Sequence, residues 1–243
     1  MTDEPQDDGW EQSAAAWIAH LGDDGDFGRQ SVLDEPMMAR VRAGGFRRAL
    51  DVGCGEGRFC RMLAAEGMVV TGIDPAPSLI DRARALDPHS DYRVEAAEGL
   101  NFEDGAFDLV VAYLSLIDIP DAAAAIAEMT RVLAPGGTLL IGNLTAYNSA
   151  GDVAEMGWQT LADGRRAHAM DQYLEERSAW IEWRGIRIRN WHRPLSTYMR
   201  LLLDQGLTLT HFDEPRAIGG DPVRVAHYNR APWFLMMEWR KPG

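Results

Sequence analysis

Residues 49–58 read Ala49-Leu50-Asp51-Val52-Gly53-Cys54-Gly55-Glu56-Gly57-Arg58. An apolar strand runs into a glycine-rich turn, and a helical pattern begins at once from Arg58. Glycines let a backbone approach a ligand closely, and the first amides of a helix are free to meet an anionic group. The spacing is G-x-G-x-G. The dinucleotide fingerprint G-x-G-x-x-G requires a glycine where Arg58 stands, so this turn departs from it. Asp74 stands 21 positions beyond Gly53 and ends the run Val69-Val70-Thr71-Gly72-Ile73. An acid at the tip of the next strand can accept both hydroxyls of a ribose at the carboxyl edge of a sheet. The turn and the acid together point to an adenosine-type cofactor.

Outward from this stretch, strand and helix patterns alternate. Strands are expected at Ala49–Val52, Val69–Ile73, Tyr92–Ala96, Phe107–Tyr113 and Thr138–Asn143. Helices are expected at Arg58–Glu66, Ser78–Leu86 and Ala122–Leu133. The runs Leu109–Val111 and Leu139–Ile141 suit strands buried on both faces. The pattern predicts an α/β fold, a mostly parallel sheet with helices on both faces. Upstream, Trp10, Ala14, Trp17 and Leu21 form a helical stripe, giving an N-terminal helical cap over residues 1–45. The cofactor-binding core is expected at 46–143. An insertion after the fifth strand, 144–193, breaks the rhythm and holds two strands turning near Gly185. Residues 194–243 add a helix from Pro194 and strands at Leu207–Phe212 and Trp233–Trp239. The whole, 1–243, is expected to be one domain.

Acids outnumber bases 37 to 24 in 243 residues, a net charge of −13 that repels polyphosphate and argues against a nucleic-acid partner. Cys54 and Cys60 are the only cysteines, which excludes a disulfide framework and suggests a reducing compartment. The first ten residues carry acids and no base, unlike a secretion signal, and Leu109–Ile117 is half a membrane span. A cytoplasmic protein with no membrane partner, monomeric or homodimeric, is expected.

The blocks LDVGCGEGRF (50–59), VTGIDPAPSLI (70–80), EAAEGLNFEDGAFDLVV (95–111) and RVLAPGGTLLIG (131–142) resemble those of the class I S-adenosylmethionine-dependent methyltransferases. NWHRPLSTYMRLLLDQGL (190–207) more loosely resembles the small-molecule branch that includes quinone-biosynthesis enzymes. The resemblance implies a Rossmann-like seven-stranded sheet with an antiparallel last strand. It also implies S-adenosyl-L-methionine as cofactor and a small-molecule acceptor. Carried over by position, Asp51, Gly53 and Gly55 line the methionine part, with Cys54 packed in the same cofactor-binding turn, Asp74 holds the ribose and Pro75 lies against the adenine. The adenine-binding acid of the family is Ala96 here, so the Ala97 amide and Glu98 take its place. Arg29, the first base in the chain, is the candidate for the cofactor carboxylate, or else it offsets Asp23, Asp24 and Asp26. Tyr113 faces the methionine chain. Methylation of oxygen is favoured over nitrogen or carbon. The alternatives are a non-catalytic cofactor-binding module and a protein methyltransferase.

Two catalytic candidates emerge. Asp118 follows the fourth strand, either as a base near the transferred methyl group or as a turn residue. His192 shares a period-two face with Ile186 and Ile188, so its ring points inward, as a general base or as a core residue. No metal is expected.

Overall fold

The computed structural model describes residues 8–151 and 157–243. A seven-stranded sheet forms its centre, made of β1 (Arg48–Val52), β2 (Val69–Asp74), β3 (Asp91–Val94), β4 (Phe107–Tyr113), β5 (Leu133–Leu144), β10 (Thr208–Asp213) and β11 (Phe234–Arg240). Across the sheet the order is β3-β2-β1-β4-β5-β11-β10. The first five strands are parallel, and β11 runs antiparallel to both neighbours. The expected sheet and its antiparallel final strand are both present.

The strands read as unbroken apolar runs because both faces are covered. Leu50, Val52, Val110, Ala112, Leu139 and Ile141 pack under α5 (Ala122–Val132) and α7 (Leu195–Asp204). The alternate residues Ala49, Leu109, Val111 and Leu140 pack under α2 (Asp34–Gly44), α3 (Arg58–Ala65) and α4 (Pro77–Leu86). Period two sorts one strand between two cores.

The cap helix α1 (Trp10–Leu21) buries Ala14, Trp17 and Leu21, three of the four stripe residues, against Ala76 and Leu79. A π-helical turn, Arg29–Leu33, leads into α2. The insertion comprises α6 (Ala146–Ser149), a small hairpin of β6 (Trp158–Thr160) and β7 (Arg166–His168), and a longer one of β8 (Arg177–Trp183) and β9 (Ile186–His192). Arg184 and Gly185 turn the longer hairpin with φ of 48° and 80°, the left-handed pair that suits strand twist. Its inner residues Ile186 and Ile188 join the core under α1. A last helix, α8 (Pro222–Tyr228), has no fully buried residue to mark it in the sequence. Among the described residues, no helix is long and apolar enough to cross a membrane.

Candidate active site

The sheet order turns at β1, which has β2 on one side and β4 on the other. Crevices for ligands open at such points, beyond the carboxyl ends of the strands. A cavity of about 260 Å³ lies there, just below the ~300–1,000 Å³ usual for small-molecule sites. A roomier hollow of about 880 Å³ lies at the other end of the strands, between Val69 and Phe107, but touches none of the glycine turn.

Every expected cofactor residue lines the first cavity: Arg29, Asp51, Gly53, Cys54, Gly55, Asp74, Pro75, Ala97, Glu98 and Tyr113. Gly53 has φ +75°, and a Cβ there would stand 2.4 Å from the Cβ of Ser115, whose hydroxyl donates to Val52 O at 2.6 Å. The turn is thus pressed against the end of β4. At Gly55 a Cβ would meet nothing nearer than Trp17 Nε1 at 4.0 Å, so the missing side chain leaves room for a ligand.

Asp74 accepts the Gly55 amide at 2.9 Å on one oxygen and the Ala76 amide at 3.0 Å on the other. Burial raises its pKa to about 6, against those two amides. Burial raises Asp51 further, to about 7, with Cys60 opposing and Asp74 adding to the rise. One Asp51 oxygen accepts the Cys60 thiol at 3.3 Å, while Oδ1 is buried with no protein partner. A buried carboxylate oxygen of this kind needs a donor or a cation. The Cys54 thiol is likewise pushed up to about 11 by burial, which leaves it a packing group and not a nucleophile.

On the opposite wall Arg29 pairs with Asp26 at 2.7 Å and lies over the rings of Trp17 and Tyr113, 5.0 and 5.9 Å from their centroids. Asp34 accepts the Tyr113 hydroxyl at 2.8 Å and is paired to Arg58 at 2.5 Å. Each arginine of this wall is therefore paired with an acid of its own.

The two catalytic candidates part company. Asp118 lines the cavity, and its Oδ1 accepts a hydrogen bond from Asn190 Nδ2. Burial pushes its carboxyl well above the usual range, opposed by that bond. His192 is outside the cavity. Its ring is buried, as the period-two face required, but Nε2 meets Tyr173 O at 2.9 Å and Nδ1 meets Ser149 Oγ at 2.8 Å. A carbonyl only accepts, so Nε2 carries the proton and Nδ1 takes the serine hydroxyl. Burial lowers the ring's pKa. Both ring nitrogens are engaged, and His192 lines a separate cavity of about 40 Å³ and not the cofactor pocket, which favours the core-residue reading over that of a general base.

The sequence reading passed over Asp8, Ser115 and Asn190. Asn190 lies on the same period-two face as His192 and was legible as inward-facing. Among the described residues no group of three or more His, Cys, Asp or Glu is placed to hold a metal ion.

The methyltransferase-domain family matches residues 50–141. The chain is 33% identical over 176 residues to a malonyl-[acyl-carrier protein] O-methyltransferase of Serratia marcescens, covering 70% of this chain and 67% of that one. It is 33% identical over 165 residues to a ubiquinone biosynthesis O-methyltransferase of Xanthomonas axonopodis pv. citri, covering 64% and 69%. The chain belongs to the S-adenosylmethionine-dependent methyltransferases. A solved methyltransferase of this kind from Mesorhizobium loti superposes on 90% of the chain and 100% of its own, with a TM-score of 0.77 and 26% identity. A Listeria monocytogenes structure at 22% identity and a TM-score of 0.72 shares the fold. S-adenosylmethionine is the cofactor of this methyltransferase, and its acceptor is a small molecule. The cavity fits that cofactor in kind. It offers an unpartnered Asp51 oxygen to a cationic ligand, open space above Gly55, and a strand-tip acid.

Proposed function

We propose that the methyltransferase methylates an oxygen of its small-molecule acceptor, with Asp118 receiving the hydroxyl proton. The observation that carries this reading is Asp118 itself: it is the carboxyl group beyond β4 that lines the cavity, with one oxygen held by Asn190, and burial raises its pKa, which makes it a stronger base than a solvated carboxylate. The relatives that are O-methyltransferases by name support oxygen as the target.

Bound S-adenosylmethionine supplies a methyl carbon on positively charged sulfur, so the departing group needs no acid. The protein's part is alignment and the exclusion of water. In this reading Asp74 holds the ribose, Ala97 and Glu98 the adenine and Arg29 the carboxylate, while Gly53 and Gly55 line the methionine part and Asp51 takes the ammonium with its free oxygen. Trp10 and Trp17 of the cap (1–45) and the insertion (144–193) shield a core spanning 46–143, with residues 194–243 completing one domain. The net charge of −13 argues against a nucleic-acid substrate, and the two free cysteines fit a reducing, cytoplasmic setting for an enzyme read as a monomer or homodimer.

The test is a product-mass screen with isotopically labelled S-adenosylmethionine against phenols, carboxylic acids and amines. Labelled ethers or esters, lost in Asp118→Asn, are expected. Labelled amines alone would overturn the reading.

A further inference from the structure

The edge of β9 that faces away from β8 is covered at three alternate residues. The Arg187 amide donates to Ser13 Oγ at 2.9 Å, the Arg189 amide to Asp8 O at 2.9 Å and the Trp191 amide to Ile117 O at 2.7 Å. One strand thus ties the cap to the loop beyond β4. Between the last two ties, Asn190 turns its side chain to Asp118.

We propose that Asn190 is a positioning residue, which holds Asp118 with its second oxygen facing the charged sulfur of S-adenosylmethionine and so lets the pocket distinguish cofactor from neutral-sulfur product. The bond occupies Oδ1, and among the described residues Oδ2 has no hydrogen-bond partner. Asp118 shares the lining of one cavity with Asp74 and Arg29, and the charges of both bear on it. With the ribose at Asp74 and the amino-acid end at Arg29, the sulfur lies between those two ends, in the cavity that Asp118 also lines. The inference rests on that cofactor orientation. An amide donor stabilises the carboxylate form, and a carboxylate beside a sulfonium favours it over an uncharged sulfide. Other titratable groups line the same cavity or feel its charge. Asp8 comes from the cap, Glu98 from the loop beyond β3, and Tyr198 from α7. Arg193 sits behind the loop, donating to the carbonyls of Leu116, Ile119 and Pro120.

Calorimetry of S-adenosylmethionine and S-adenosylhomocysteine on the full chain, at about pH 6 and about pH 8, tests this. Asp118→Asn should lower the preference for the cofactor by about tenfold at the higher pH, the scale of one charge pair near a surface, with product affinity nearly unchanged. Asn190→Leu should lose the same preference, and more of it at the lower pH, because burial raises the Asp118 pKa and the amide that opposes that rise is gone. The double variant should match Asp118→Asn alone. If Asn190→Leu fails to fold, Asn190→Ala removes the donor without adding a charge and should lose the preference too. An Asn190 variant with a lowered melting temperature and an unchanged ratio would overturn the positioning role. A normal affinity of Asp74→Ala for both ligands would instead overturn the orientation beneath it.

Discussion

Asp51 should be a residue whose charge weakens the empty protein and strengthens the loaded one. Its carboxyl is 1% exposed, one oxygen has no partner, and its pKa in the fold is about 7 against about 3.9 unfolded. Below the unfolded value both states hold the proton, and the group costs nothing. As pH rises toward 7, the unfolded chain releases the proton while the fold keeps it, so stability falls and the full penalty is present above the folded pKa. A shift from 3.8 to about 7 corresponds to about 4 kcal/mol. Asp51→Asn removes this penalty and leaves a buried amide in its place, at a cost of about 1–3 kcal/mol for an unmet polar group. A net gain of about 1–3 kcal/mol should therefore appear at about pH 8 and turn into a net loss of about 1–3 kcal/mol at about pH 4. Denaturant unfolding of both proteins at the two pH values measures it, and calorimetry should show weaker cofactor binding by the variant. An Asn variant less stable than the parent at every pH would refute this electrostatic account of Asp51.

Three further outcomes are expected. Asp74→Ala should weaken cofactor and product alike by about 1–3 kcal/mol in calorimetry, the scale of hydrogen bonds lost at a buried site. Gly53→Ala forces a left-handed residue and a Cβ 2.4 Å from Ser115, and chemical denaturation should show a loss of about 2–5 kcal/mol. His192→Ala leaves Ser149 and the Tyr173 carbonyl without their ring partner, so the melting temperature should fall. Cofactor affinity and turnover per folded molecule should hold, and a lost turnover in a well-folded variant would return His192 to the chemistry.

What was legible in the sequence was local or periodic. Phe107–Tyr113 is found at its expected bounds because a strand buried on both faces leaves an unbroken apolar run. The glycine turn and Asp74 were readable because backbone geometry and a strand-tip acid each demand particular residue types. The small hairpin of Trp158–Thr160 and Arg166–His168 was missed because three-residue strands show no period, and the π-helical turn at Arg29 because its apolar residues read as ordinary helix. His192 shows the limit of periodicity. Parity put the ring inside, but the groups it meets come from α6 and from the loop before β8, at separations of 43 and 19 residues. Asn190 and Asp118 are 72 apart in sequence, and only the folded chain makes them neighbours.

The covered edge of β9 also bears on how this protein behaves in a concentrated solution. A strand edge with unmet amides is a template for another chain, and here Ser13, Asp8 and Ile117 take those amides in turn. Two of the three covers belong to the cap. Any opening of the cap to admit a ligand therefore bares Arg187 and Arg189 to edge-to-edge pairing between molecules. Ligand that keeps the cap shut should slow aggregation on storage, and trimming the chain before Trp10 should speed it.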